Sequence, residues 1–380
     1  MTPRTLLLAP DKFKGSLTAA EVVAALTRGI SATAPETPIL ACPIADGGDG
    51  TVDAALAAGA APRPAVITGP TGHERETTWA LDGITAVLEL ADAVGLKALP
   101  GGTLAPQTAS THGLGELIAR AVDAGARQIV VGLGGSASTD AGAGLLQALG
   151  ARLLTAAGAP IRPGLAGLRE LAEVDLGPAR ALLDGITLVA ANDVQNPLLG
   201  PEGTAAVYGP QKGLGPKDVR EADAVLAAAA ELLDPGAVHR DAPGAGAAGG
   251  AGFALLVLGA TQRSGADVVL ELADFDTRLQ GAAVVLTGEG RLDAQTLHGK
   301  GPAEVARRAV AAGAEVLAVA GAIDLDTAQL HEAGISRAWD LLSRAADVPD
   351  AIARGEELLD LVGREIGRSL SGVAPETPGP

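Results

Sequence analysis

The stretch "LLLAPDKFKGSLTAAE", Leu6 to Glu21, decides how the rest of the chain is read. A continuous apolar run stops at Pro10, two lysines follow around Phe13, and Gly15 and Ser16 lead into a helical pattern. Thr18-Ala-Ala-Glu21 is a capping box, in which hydroxyl and carboxylate reciprocally satisfy two backbone amides of the first turn. An unbroken apolar run suits a strand buried on both faces. The stretch therefore reads as one strand–turn–helix unit of a parallel sheet.

The unit recurs. Apolar runs at Ala41–Ala45, Val87–Leu90, Ile129–Val131, Thr187–Ala190, Val284–Leu286 and Val316–Val319 each end in a polar or glycine-rich corner. Helical stretches are expected at Thr18–Ile30, Gly113–Ala124, Gly142–Leu149 and Ala303–Ala312, with Pro302 where first-turn prolines belong. Such alternation predicts an α/β fold with a parallel sheet. Ligands of these sheets lie beyond the carboxyl ends of the strands, so the corners are expected to converge on one cleft. No linker marks a domain boundary, which implies insertion of one domain in another. The expected division is 1–60 plus 285–371 against 61–284, with 372–380 as a frayed tail.

Composition narrows the function. At 380 residues the chain can bury two domain cores, and with 2% aromatics those cores must be Ala, Val and Leu. A net charge of −17 argues against nucleic acid, because phosphate backbones need a clustered basic face. Cys42 is the single cysteine, which excludes an internal disulfide and fits a reducing cytosol. No apolar stretch approaches the roughly 18 residues of a membrane span, and the first apolar run is too short for a secretory signal. A soluble cytoplasmic protein is expected.

The corners carry the chemistry. Six lysines stand against twenty-two arginines, and Lys12, Lys14, Lys212 and Lys300 all lie in corners. In a chain that prefers arginine, a retained lysine hints at a compact point charge for phosphate. Ser16 precedes a helix whose N-terminus favours an anion, although capping explains it equally well. In "PIADGGDGT", Asp46 and Asp49 flank two glycines and can orient Mg²⁺ or hold substrate hydroxyls, without EF-hand spacing. "GLGGSASTDAGAG" offers backbone donors at Gly134, Gly135 and Ser136, with Asp140 behind them. It lacks the Lys-Ser/Thr ending of a Walker A loop, and close glycine packing would leave the same pattern. "ANDVQNP" supplies Asp193 and Asn196, and "TGEGRLDAQTLHGKGP" packs Glu289, Arg291, Asp293 and Lys300 between a strand and a helix.

Other routes fail. Gly244–Gly249 matches G-x-G-x-x-G but follows no strand, the five histidines are dispersed, and no G-x-S-x-G elbow occurs.

Taken together, "APDKFKGSLTA", "PIADGGDGT", "GLGGSASTDAGAG", "NDVQNPLLGPEGTAAVYGPQKG" and the segment ending in "TGEGRLDAQTLHGKGP" resemble the type I glycerate kinase family, in the family's order and over nearly the whole chain. Gln195 stands where the family usually carries a second acid. The resemblance implies a Rossmann-like α/β domain with a second α/β domain inserted. It also implies phosphorylation of D-glycerate from ATP and Mg²⁺, with 2-phosphoglycerate as the product of the glycerate 2-kinase branch. A 3-phosphoglycerate-forming enzyme, or a kinase of a related hydroxy acid, is the alternative.

Placed on that reaction, Lys12, Lys14 and Ser16 are expected on phosphate or the acid's carboxylate, and Asp46 and Asp49 on the metal. Gly134, Gly135, Ser136, Asp140, Asn196, Lys212 and Glu289 are expected to bind substrate or phosphate. Asp193 is the expected base with Asp293 as runner-up, and Arg291 and Lys300 would offset transition-state charge.

Overall fold

The computed structural model describes residues 4–45, 47–294, 296 and 301–371. In chain order the strands are β1 (Thr5–Pro10), β2 (Ile39–Ala41), β3 (Ala61–Thr68), β4 (Glu74–Asp82), β5 (Thr85–Glu89), β6 (Gln128–Gly132) and β7 (Arg152–Leu154). They continue as β8 (Glu173–Asp175), β9 (Thr187–Ala191), β10 (Thr261–Arg263), β11 (Ala282–Leu292), β12 (Glu315–Ile323) and β13 (Arg337–Asp340). The chain forms two compact units, one from 4–45 with 266–371 and one from 47–265.

The discontinuous unit holds a five-stranded sheet in the order β13-β12-β11-β1-β2, with every pairing parallel. Numbered within the unit, this is the doubly wound order 2-1-3-4-5, whose reversal of winding falls between β1 and β11. Leu6, Leu8, Val284, Leu286, Leu317 and Val319 form the centre of its core. With so few aromatics, helices must approach closely. The Ala19–Thr33 and Gly355–Leu370 helices cross where Gly29 and Gly363 face each other's backbones, and a Cβ on Gly29 would lie 2.1 Å from Asp360 O. The capping box at the head of the first helix is formed as expected, with Thr18 N–H donating to Glu21 and Glu21 N–H donating to the Thr18 hydroxyl.

The continuous unit holds a six-stranded sheet in the order β10-β9-β6-β5-β4-β3. β5, β6, β9 and β10 are parallel, whereas β3 and β4 extend the sheet antiparallel. Its core, from Ala65 to Ala260, lies wholly within 47–265. β7 and β8 form a separate antiparallel pair. Among the described residues, no helix is long and apolar enough to cross a membrane.

Three expectations are corrected. The units divide at 46/47 and 265/266, not at 60/61 and 284/285. A cut at 284/285 would fall inside β11, and the Thr51–Ala57 helix packs on β4 and β5 of the continuous unit. The expected strand Ala41–Ala45 lies earlier, at Ile39–Ala41. Beyond Ala41 the chain still runs beside β1, with Cys42 N–H donating to Leu8 O and Ile44 N–H to Pro10 O. β3 and β4 were not expected at all. The expected tail 372–380 lies outside the described residues.

Candidate active site

The discontinuous unit presents its polar corners at the carboxyl ends of β1 and β11, on either side of the winding reversal. Beyond β1, Asp11 is buried and its carboxylate accepts from Lys12 N–H at 2.6 Å, while the Lys12 ammonium lies 3.7 Å away. Lys12 is thereby tied to its own loop. Lys14 is exposed, and Gly15 after it takes φ +81°, a turn conformation that suits glycine. The Ser16 hydroxyl reaches Ile352 O at 3.4 Å.

Beyond β11, buried Thr296 organises the corner. Its hydroxyl donates to Glu289 at 2.6 Å and accepts from Asp293 N–H at 3.1 Å. Arg291 is exposed and pairs with Asp324 at 2.6 Å. Lys14, Ser16 and Arg291 line one cavity of about 130 Å³, so the structure brings together three residues separated by up to 277 positions. Asp46 and Lys300 lie outside the described residues.

The continuous unit carries a carboxylate cluster. Oxygens of Asp49, Glu89 and Asp92 all lie within 4.8 Å of one another. Glu89 ends β5 and is 3% exposed, and its carboxylate accepts from Gly50 N–H at 2.9 Å and Val52 N–H at 3.3 Å. Burial first, then the neighbouring Asp92 and Asp49, push its pKa up to about 8. Asp92 is raised by burial, then by Asp53 and Asp49. Asp49 also meets the Lys97 ammonium at 2.9 Å. Three hard oxygen donors, one of them raised in pKa by burial and by its acidic neighbours, fit a divalent cation such as Mg²⁺. Asp49 was expected on the metal; Glu89 and Asp92 were not. Their signal was an acid set inside the apolar run Val87-Leu88-Glu89-Leu90.

The glycines of two motifs explain each other. A Cβ on Gly132 would lie 2.9 Å from both Gly47 O and the Thr51 hydroxyl, and one on Gly134 would lie 3.0 Å from Gly48 Cα. The loop before the Thr51–Ala57 helix thus crosses the end of β6 backbone on backbone, which seats Asp49 near Gly134 and Gly135.

Behind that crossing, several expected ligand contacts turn out to be internal supports. Asp140 is fully buried and its carboxylate accepts from Thr111 N–H, the Thr111 hydroxyl, Gly142 N–H and Gly144 N–H. Lys212 is 2% exposed, and its amine donates to Ser138 O at 2.6 Å and to the Ser136 hydroxyl at 3.4 Å. Burial drives its pKa down to about 7, against the raising influence of Asp140. Ser136 is itself buried and accepts from Ser138 N–H. The Asn196 side chain donates to Glu202 O and accepts from the Tyr208 hydroxyl, both at 2.7 Å. The polar atoms of buried Asp140, Lys212 and Ser136 are thus engaged within the protein, and half-buried Asn196 bridges Glu202 and Tyr208. The glycine-rich 244–252 segment is the packing floor of this network: a Cβ on Gly249 would come within 2.0 Å of Ser138 O and 2.8 Å of the Lys212 amine.

Asp193 differs from these. It is exposed at the end of β9, and its carboxylate accepts from Gly265 N–H at 3.0 Å, beyond the end of β10. Its neighbour Asn192 is buried; the side-chain carbonyl accepts from Val194 N–H, and its amide nitrogen has no partner among the described residues.

Residues 6–371 match the model of the glycerate kinase family. The chain belongs to that family. It is 40% identical over 371 residues to a glycerate kinase of Bacillus subtilis, covering 96% of this chain and 97% of the relative. To the glycerate 2-kinase of Escherichia coli it is 37% identical over 373 residues, covering 96% and 98%. A solved structure described as a putative glycerate kinase 2 from Salmonella typhimurium superposes with a TM-score of 0.85 at 36% identity, covering 97% of this chain and 99% of that one. The glycerate kinase family and its α/β fold are as the motifs implied.

Proposed function

We propose that this glycerate kinase family member transfers the γ-phosphoryl group of ATP to the 2-hydroxyl of D-glycerate, giving 2-phosphoglycerate and ADP. The observation that carries the reading is the Asp49–Glu89–Asp92 cluster, set at the carboxyl ends of parallel strands in a chain matched by the family along its length. The 2-position rests on the relative named glycerate 2-kinase.

In the transfer, the 2-hydroxyl oxygen bonds to the γ-phosphorus and the bond to the β–γ bridging oxygen breaks. Asp193 accepts the hydroxyl proton, with Asp293 as the alternative base. The Gly265 N–H orients the Asp193 carboxylate. Asp49, Glu89 and Asp92 would hold Mg²⁺, which would supply neutralisation of phosphate charge. Lys14 and Arg291, together with the hydroxyl of Ser16, take phosphate oxygens. A single buried cysteine, whose thiol pKa is pushed up to about 11 by burial, suits the reducing cytoplasm.

Phosphorus NMR of the product tests the regiochemistry, alongside an assay coupled to enolase without added mutase. Phosphorus on the secondary carbon and direct use by enolase are expected. A product phosphorylated at the 3-position would overturn the proposal.

A further inference from the structure

We propose that the cleft at the carboxyl ends of β1, β11 and β12 is the adenine-nucleotide subsite, with the base inside it and the phosphates at its rim. This deepens the kinase reading and rests on it for the identity of the nucleotide.

The cleft lies where the winding of the five-stranded sheet reverses, which is where open α/β sheets leave a crevice. Two of its lining residues on adjacent strands carry no side chain. Gly290 and Gly321 meet there, and a Cβ on Gly321 would lie 2.5 Å from Gly290 O, while one on Gly290 would lie 3.1 Å from Lys14 N. Backbone without side chains at these two positions leaves that part of the cleft open to a planar ring.

The wall opposite is aliphatic. Val348 and Ile352 line the cleft from the Val348–Ala353 helix and remain 49% and 47% exposed. Two large aliphatic side chains left half in water beside a cleft gain their burial when an apolar surface enters it. D-glycerate, a three-carbon polyol acid, has almost no such surface to offer. A nucleobase has two faces of it.

The rim supplies the complementary charge. Lys14 is exposed and pairs with no acceptor among the described residues, while Ser16 and Arg291, the latter paired with Asp324, stand on the same cleft. In a chain of net charge −17, a cationic rim on an apolar slot is a local exception. It matches a ligand that is apolar at one end and polyanionic at the other.

The test is calorimetric titration of the full-length protein with ADP and with adenosine, in wild type, Ala351→Trp and Lys14→Ala. Ala351 lines the cleft and is half-buried, so its replacement fills the slot without opening a core. Ala351→Trp should weaken both ligands by about tenfold or more. Lys14→Ala should weaken ADP by a similar factor and leave adenosine unchanged. In steady state both variants should raise KM for ATP with KM for D-glycerate unaltered. Wild-type ADP affinity in both variants would overturn the assignment, as would a rise in KM for D-glycerate alone. If ADP binding is lost as expected but D-glycerate is not phosphorylated, the subsite stands and the choice of acceptor falls. If phosphorylation proceeds and both variants bind ADP normally, the kinase stands and the subsite falls.

Discussion

Two residues carry the sharpest consequences. Asp193, the proposed base, is exposed, and the Gly265 N–H is among the groups that orient its carboxylate. Asp193→Asn should lower kcat by roughly 10²–10⁴-fold with little change in either KM, because the amide keeps the anchor and loses the basicity. Steady-state kinetics with both substrates checks this, and an unchanged kcat would transfer the role to Asp293. Lys212 has the opposite character. Its folded-state pKa of about 7 lies below the ordinary 10.5, so between those values the unfolded chain binds the extra proton. Stability should therefore rise as pH increases from about 7 to 10.5. Thermal midpoints measured across that window should climb in wild type, and Lys212→Met should remove that group's part of the slope. Its burial was not legible from the residues, since a lysine in a loop looks the same whether it meets solvent or a carbonyl. The burial of Asp140 was hidden for the same reason. Glu89 was legible in principle: an acid inside a strand-like apolar run is anomalous, and only its partners, distant in sequence, give the anomaly a meaning.

At the scale of elements, parallel strands announced themselves. β1, β6, β9, β11 and β12 are covered on both faces, so their apolar runs are unbroken and could be read directly. β3 and β4 were silent. β3 contains Pro62 and Pro64, and most of its side chains are exposed, as befits an edge strand that must resist pairing. Glycine-rich corners were read as anion nests, yet their first task is backbone crossing. That assignment can be tested at Gly132. Gly132→Ala places a methyl 2.9 Å from Gly47 O and the Thr51 hydroxyl, and it should cost about 1–3 kcal/mol by overpacking. The loop bearing Asp49 must shift to admit it. Lower thermal stability together with a higher Mg²⁺ requirement is the expected outcome, and wild-type values for both would show that the crossing tolerates a side chain.

At the scale of the molecule, the 47–265 unit is continuous in sequence, owns its core, and begins and ends at one place. A Cβ on Gly47 would lie 2.1 Å from Gly265 Cα. A fragment spanning 47–265 should therefore fold alone, with cooperative thermal unfolding and dispersed amide NMR signals, and a molten fragment would contradict the division.

The meeting of Gly47 with Gly265 also governs how the ribosome's product must assemble. β1 waits through more than 270 residues of translation for its neighbour β11, with its hydrophobic edge unpaired meanwhile. Once the intervening unit has closed on itself, those residues act as a short tether rather than a long loop, and the entropic penalty for joining β1 to β11 shrinks accordingly. Maturation is thus sequential by construction, and variants that slow the first unit to close should leave nascent chains prone to aggregate through the second.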